Sequence, residues 1–224
     1  ADKRFDLIIC NAGVMACPQS ATEDGFETQF GTNHLGHFVL VNRIASLLQA
    51  GGRVVVLSSS GHRFADIDLE DLGFERTPYD PFVAYGRSKT ANILFAVELD
   101  RRLKAKGIRA TAVHPGGIQT ELGRYLTPEI TQRLIEQIDA SRPAGTPAFS
   151  YKTIPQGAAT TVWAAAKARA DEIGGRYCED CQVAETTEGG ADLAVRGGVR
   201  PYALDPDRAH TLWTQSEQLV GERF

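Results

Sequence analysis

Residues 53–58 read Arg-Val-Val-Val-Leu-Ser, a β-branched and apolar run without polar alternation. Such a run is typical of a central strand in a parallel sheet, because it has no hydrophilic face and needs helices on both sides. Two further short apolar runs, at 6–10 and 109–114, are separated from it by longer helical patterns. Strand, helix, strand, helix, strand predicts an α/β doubly wound fold with right-handed crossovers.

The helical patterns set the expected boundaries of the remaining elements. A capping box at 20–23 predicts a helical region over 20–50 that Gly51 and Gly52 end. A second long helix is predicted over 82–106, and its segment 93–97 is apolar on every side. Such a segment is buried within the monomer or packs on a partner. Shorter elements are expected at 155–169 (helix), 175–178 (strand) and 207–220 (helix).

Composition excludes several classes of protein. The chain has 224 residues, 42% of them hydrophobic, and a net charge of −4, which predicts one domain over 1–224 and no nucleic-acid partner. No stretch approaches the roughly 20 apolar residues of a membrane span. The charged start at 1–6 lacks a signal core, so a cytoplasmic location is expected. Cys178 and Cys181 form a lone C-x-x-C, which favours reduced thiols over a metal site.

The chemistry of the chain is suggested by Tyr85 and Lys89, which are four residues apart and share a helix face. A nearby ammonium favours the phenolate and lowers the phenol pKa from its usual value of about 10. The phenol can then act as a general acid or base. Chance produces this spacing in many helices, so its significance depends on the motifs around it.

Five motifs occur in a fixed order, each in the expected structural context. They are Asn11-Ala12-Gly13 after a strand, Asn33-His34-Leu35-Gly36-His37-Phe38 within a helix, Ser58-Ser59 at a strand end, Tyr85-x-x-x-Lys89, and Pro115-Gly116-x-x-x-Thr120. Together they resemble the short-chain dehydrogenase/reductase family. The sequences of segments 11–15, 33–38 and 88–95 are most similar to the retinol-dehydrogenase-like and WW-domain-oxidoreductase-like branch. The resemblance covers nearly the whole chain and is weakest over 122–154.

The resemblance implies a hydride transfer between a nicotinamide and an alcohol or carbonyl carbon. Tyr85 would be the general acid–base, and Lys89 would lower the phenol pKa and hold the ribose hydroxyls. Ser59 would hydrogen-bond the substrate oxygen, and the backbone of Asn33 would hold a water that links Lys89 to solvent. The plain alternatives are a packed tyrosine, a surface lysine and a helix asparagine bonded to a turn.

The resemblance also implies a cofactor site, NAD or NADP, with NADP slightly favoured by family likeness alone. Besides Tyr85 and Lys89, its residues would be Asn11, Ala12 and Gly13 near the adenine-side ribose, and Pro115, Gly116, Ile118 and Thr120 around the nicotinamide. An ordinary turn and a generic loop are the alternatives. A flap over 121–155 would close on a small hydrophobic alcohol or carbonyl substrate. Subunits would pair as a homodimer or homotetramer through helices 20–50 and 82–106.

One departure from the family pattern is large. The glycine-rich turn that holds the cofactor pyrophosphate is absent from the sequence, and the chain starts at the family's fourth strand. Without the first three strand–helix units, strand 6–10 is expected to be an exposed apolar edge. Three explanations stay open: a segment omitted from this sequence, a truncated natural protein, or a second chain that supplies the missing half.

The missing turn leaves a second hypothesis, a non-catalytic binding or scaffold protein with the same fold. The presence of all four residues Tyr85, Lys89, Ser59 and Asn33 argues against it, because a scaffold has no physical need for the set. Acyl transfer of the α/β-hydrolase type is excluded by the lack of a Gly-x-Ser-x-Gly elbow.

Overall fold

The computed structural model describes residues 4–140, 145, 147–188 and 197–224. Its centre is a five-stranded sheet of order β1-β2-β3-β4-β5. The first four strands are parallel and the last is antiparallel. The strands are β1 (Phe5–Cys10), β2 (Leu48–Leu57), β3 (Arg109–His114), β4 (Tyr177–Glu179) and β5 (Gln182–Val183). The predicted fold class and the predicted strands are confirmed, whereas the two-residue β5 is too short to give a sequence signal.

Helices cover both faces of the sheet. They are α1 (Thr28–Phe30), α2 (Gly36–Ile44), α3 (Pro81–Leu103), α4 (Pro128–Ala140), α5 (Ile154–Ala166), α6 (Ala170–Ile173) and α7 (Pro206–Val220), with a π-helical turn at Gly31–Leu35 between α1 and α2. Val54 and Val56 of β2 pack with Phe38 and Phe95 on the face of α2 and α3. Val55 packs on the opposite face, in the cluster that holds α5 and α6. The apolar run of β2 is therefore buried on both sides, as its sequence predicts.

The helical region predicted at 20–50 is wrong at both ends. A turn closed by Thr22 N donating to Phe26 O occupies the capping-box segment. The helix begins only at Thr28, where the Glu27 carboxylate accepts hydrogen bonds from the backbone amides of Gln29 and Phe30. At the other end β2 begins at Leu48, and both predicted stop residues, Gly51 and Gly52, lie within this strand.

A strand irregularity explains the two glycines. Phe5 pairs with Leu48, but Leu7 pairs with Arg53, so β2 carries extra residues at this point. Gly51 has φ +87°, and a Cβ on Gly52 would lie 2.8 Å from the carbonyl oxygen of Gln49. The pair permits a tight bulge rather than ending a helix.

The long helix α3 agrees with its prediction. The Asp80 carboxylate accepts from the amides of Phe82 and Val83 at its start, and Gly107 ends the region in the left-handed conformation at φ +74°. Phe95 contacts Trp213 of α7 at a ring-centroid separation of 5.9 Å. Residues 93–96 are thus buried within the chain and Val97 is half-buried, so the apolar character of the segment requires no partner subunit.

β1 forms one edge of the sheet, as expected. Three of its apolar side chains are substantially exposed: Phe5 at 40%, Leu7 at 36% and Ile9 at 42%. Over the described ranges, no strand pairs with the outer side of β1. Among the residues that the structure describes, no helix is long and apolar enough to cross a membrane.

Candidate active site

The predicted site residues meet at the carboxyl ends of the parallel strands. The loop with Gly13 follows β1, the turn with Ser59 follows β2, and the loop from Pro115 follows β3. The first half of α3 lies beside these loops and carries Tyr85 and Lys89. Ligands bind at this edge in open α/β sheets, so the topology assembles the site from distant parts of the sequence.

Tyr85 is held between the Ser59 turn and α3. Its side chain is only 3% exposed. A Cβ added to Gly61 would lie 2.7 Å from Tyr85 Cε1, so the ring packs directly on the bare glycine backbone. The Ser59 hydroxyl hydrogen-bonds the phenol and favours the phenolate, but burial outweighs this bond and raises the phenol pKa to about 12.

Lys89 is also buried, with 4% exposure. Its Nζ donates to the carbonyl oxygen of Leu57 at 3.1 Å and lies 5.6 Å from the centroid of the Tyr85 ring. Burial lowers the pKa of the ammonium to about 8. The expected lowering of the phenol pKa by Lys89 is not found in this structure, because desolvation dominates the pKa of both groups.

Asn33 joins the β1 loop to α3 through its side chain. Its Oδ1 accepts from Val14 N at 2.8 Å, and its Nδ2 donates to Val14 O and to Ser88 Oγ, both at 2.9 Å. Ser88 Oγ in turn donates to the carbonyl oxygen of Tyr85 at 2.8 Å. The carbonyl of Asn33 accepts from His37 Nδ1 at 3.0 Å. This link between the β1 loop and α3 through the Asn33 side chain, called the Asn33 staple below, is a role that the sequence did not reveal. The predicted water on the Asn33 backbone stays a prediction.

The residues expected near the cofactor ribose lie beside this staple. Asn11 and Ala12 are exposed at the end of β1, and Gly13 is half-buried. A Cβ on Gly13 would lie 2.9 Å from Asn33 Oδ1 and 3.7 Å from Lys89 Nζ. A residue without a side chain is therefore required there, and the Gly13 backbone faces the lysine amine.

The loop after β3 forms the other rim of the site. Gly116 has φ +96°, a conformation that residues with a side chain rarely adopt, and the flexible end of the Lys152 side chain lies over it. Ile118 packs on Gly157 of α5. Pro115 is half-buried, whereas Thr120 is exposed and its hydroxyl accepts from Leu122 N. The structure thus places Pro115, Gly116 and Ile118 in the rim, while Thr120 caps the following turn.

The predicted flap over 121–155 contains the helix α4. Its apolar side chains are only half-buried, and neighbouring Tyr125 and Tyr151 are 44% and 43% exposed. Ring contacts between Phe149 and Tyr151, with centroids 5.0 Å apart, lie next to the β3 loop. Residues 141–144 and 146 of the predicted flap lie outside the described residues.

Sequence reasoning missed two residues of the turn that follows Ser59. Gly61 supports the Tyr85 ring, and His62 is fully buried with its ring nitrogens bonded to two separate segments. The only sequence signal is their position two and three residues after Ser59. In the ranges that the structure describes, no group of three or more His, Cys, Asp or Glu could hold a metal ion.

The doubly wound sheet and this arrangement of tyrosine, lysine, serine and asparagine define the class of nicotinamide-dependent oxidoreductases with a Rossmann-type sheet. The short chain dehydrogenase family pattern matches residues 2–131. A protein of Streptomyces antibioticus named "Probable oxidoreductase" is 44% identical over 212 residues, which are 93% of this chain and 70% of that protein. Human retinol dehydrogenase 14 is 39% identical over 223 residues, 98% of this chain and 60% of that enzyme. The chain belongs to the short-chain dehydrogenase family, as the motifs predicted.

Solved structures agree with the fold. An uncharacterised protein of Mycobacterium paratuberculosis superposes with a TM-score of 0.70 at 35% identity, over 99% of this chain and 69% of its own. The angucycline C-6 ketoreductase LanV, crystallised with bound NADP, gives a TM-score of 0.55 at 24% identity, over 79% of this chain and 61% of its own. The chain thus spans between three fifths and seven tenths of these relatives.

Proposed function

We propose that this protein interconverts an alcohol and a carbonyl compound with a nicotinamide cofactor, and that Tyr85 is the general acid–base. The main support is the burial of Lys89. Lowering its pKa from 10.5 to about 8 corresponds to roughly 3 kcal/mol of unfavourable burial at neutral pH. No carboxylate pairs with it among the described residues. A buried cation beside a buried phenol is expensive for stability and useful for binding hydroxyl groups.

The Lys89 amine and the Tyr85 hydroxyl are hydrogen-bond donors suited to the nicotinamide half of such a cofactor. Lys89 and Tyr85 would hold its ribose hydroxyls, Asn11, Ala12 and Gly13 would border the other ribose, and Pro115, Gly116, Ile118 and Thr120 would border the nicotinamide. When bound, the nicotinamide supplies or accepts the hydride. Ser59 would hold the substrate oxygen against the Tyr85 hydroxyl, which gives or takes the proton, and Asn33 keeps the β1 loop in place.

The raised phenol pKa favours one direction of proton transfer. With a pKa of about 12, Tyr85 is protonated at neutral pH. A protonated phenol can donate to the oxygen of a carbonyl that accepts a hydride, whereas alcohol oxidation needs the scarce phenolate. Carbonyl reduction is therefore the direction that the site supports best near pH 7.

The finer expectations belong to this proposal. A substrate with a hydrophobic body fits the apolar, half-buried side chains of the flap, which would exclude water on closing. The name of the human relative, a retinol dehydrogenase, supports the same substrate class. NAD and NADP, a cytoplasmic location and pairing through helices 20–50 and 82–106 stay predictions. The scaffold alternative is not favoured, because it gives no reason for burying Lys89.

Calorimetric titration with NADPH and NADH tests the proposal. Both this chain and a version extended at its N-terminus by a glycine-rich phosphate-binding unit are used. We expect Lys89→Met to weaken binding at least about tenfold, since it removes a buried donor to the cofactor. Lys167→Met is the matched control, because Lys167 is exposed at the end of α5. Absence of binding by the extended protein would overturn the proposed function.

A further inference from the structure

His62 occupies a buried position at the back of the Ser59 turn. It is the third residue of the 3-10 turn Ser60–Arg63 that follows Ser59, and it is fully buried. Buried histidines often serve only as satisfied core residues. The contacts of this one link the Ser59 turn to α3, to β4 and to the chain segment at Arg200–Tyr202.

The two ring nitrogens have different partners that fix the tautomer. Nδ1 lies 2.7 Å from the carbonyl oxygen of Ser59, and a carbonyl can only accept, so Nδ1 carries the proton. Nε2 lies 3.3 Å from the backbone nitrogen of Arg200, which can only donate, so Nε2 is the acceptor. The ring is therefore neutral and bridges the two segments.

The backbone carbonyl of His62 adds a second link. It accepts from the Tyr202 hydroxyl at 2.7 Å and from Thr90 Oγ1 of α3 at 3.2 Å. The face of the imidazole also contacts the ring of Tyr177 on β4, at a centroid separation of 5.0 Å. One residue thus ties the Ser59 turn to α3, to β4 and to the segment before α7.

We infer that His62 is a positioning residue for Ser59 and Tyr85, and that through it the Arg200–Tyr202 segment sets the geometry of the catalytic turn. The inference rests on the proposed function of Ser59 and Tyr85. The Ser59 hydroxyl bonds the phenol, and Gly61 supports the phenol ring. The Ser59 carbonyl accepts from His62 Nδ1 at 2.7 Å and from the His62 backbone nitrogen at 3.1 Å. Because the side-chain bond is the shorter of the two, its loss loosens the turn and lets the Ser59 hydroxyl shift away from the reacting oxygen.

Two amide substitutions separate the two bonds. In His62→Asn the side-chain nitrogen can replace Nδ1 and keep the bond to Ser59. In His62→Gln the amide oxygen of the longer side chain can replace Nε2 and accept from Arg200 N, while the side-chain bond to Ser59 O is lost and only the backbone bond from residue 62 remains. We expect kcat to fall about tenfold or more in the glutamine variant and about threefold or less in the asparagine variant, since a misplacement near 1 Å can cost up to about 10²-fold. KM for the cofactor should stay within about twofold in both.

The assay measures kcat, KM and melting temperature for the wild type, both His62 variants and Tyr85→Phe, in whichever version of the chain binds the cofactor. A normal kcat in His62→Gln would overturn the inference, and so would equal losses in the two variants that follow their melting temperatures. If His62→Gln does not fold, Tyr202→Phe decides, because it removes one bond to His62 O but keeps the ring. There we expect kcat to fall about threefold, and an unchanged kcat overturns the inference. A wild type without turnover would instead refute the proposed function.

Discussion

The contact between Gly61 and Tyr85 makes the site sensitive to a single methyl group. In Gly61→Ala the new Cβ would lie 2.7 Å from Tyr85 Cε1, 2.9 Å from Cδ1 and 3.3 Å from Ser59 Oγ. Carbon atoms in contact are normally about 3.5 Å apart or more, so the ring or the turn must move by roughly 0.8 Å. Neither is free to move, because α3 holds the ring and His62 holds the turn.

The expected result is a large loss of activity with a moderate loss of stability. A displacement near 1 Å at a reacting group can lower the rate by up to about 10²-fold, and we expect kcat to fall between about 10-fold and 10²-fold. Overpacking of this kind typically costs about 1–3 kcal/mol of unfolding free energy.

The measurements are steady-state kinetics and urea denaturation on the same preparation. Gly73→Ala is the matched control, because its new Cβ would meet only the flexible Glu75 side chain at 3.7 Å. A kcat for Gly61→Ala equal to that of Gly73→Ala would show that Tyr85 does not need its position against this turn, and the described site geometry would be refuted.

Three further predictions follow from the buried polar groups. Burial raises the Tyr85 pKa to about 12, so the phenolate fraction rises about tenfold for each pH unit below that value. We therefore expect the rate of alcohol oxidation to rise about tenfold per unit from pH 6 to 8, whereas the rate of carbonyl reduction stays nearly constant. Parallel pH profiles in the two directions would contradict this. Lys89→Met should abolish turnover yet raise the free energy of unfolding at pH 7 by about 1–3 kcal/mol. The reason is that burial of the charged ammonium destabilises the folded protein at pH values below the folded pKa of about 8. A clear loss of stability in urea denaturation would argue against that cost. Asn33→Ala should lower the unfolding free energy by about 2–4 kcal/mol, because it leaves the backbone N–H and C=O of Val14 without their partner. The control Asn42→Ala removes one bond to Phe38 O and should cost about 1 kcal/mol or less. Equal losses in the two variants would contradict the staple role of Asn33.

The alternation of buried strands and amphipathic helices made the fold predictable. The run at 53–58 has no hydrophilic face, and the structure buries it on both sides. Boundaries failed where local signals have two meanings. Gly51 and Gly52 suit a helix end as well as a strand bulge, and only the pairing with β1, which is non-local, decides between them.

The sequence predicted which residues come together at this edge of the sheet, but not their electrostatics. A helical spacing correctly places Tyr85 and Lys89 on one face of α3, yet it contains no information about how much water reaches them. Desolvation depends on the Ser59 turn, on β2 and on Gly61, all distant from the pair in sequence, and it reverses the expected pKa shift of the phenol. His62 was missed for the same reason, since its partner Arg200 is far along the chain.

Turnover by Tyr85→Phe tests the central claim most directly. The substitution removes only the hydroxyl and leaves the ring on Gly61. With cofactor binding verified by calorimetry, we expect carbonyl reduction, followed by nicotinamide absorbance, to fall at least about 10²-fold, the lower range for loss of an acid–base group. Tyr79→Phe is the control, because that phenol lies in a separate hydrogen-bonded cluster with Gln29 and Cys17. Near-normal turnover by Tyr85→Phe would contradict the assignment of Tyr85 as the proton donor.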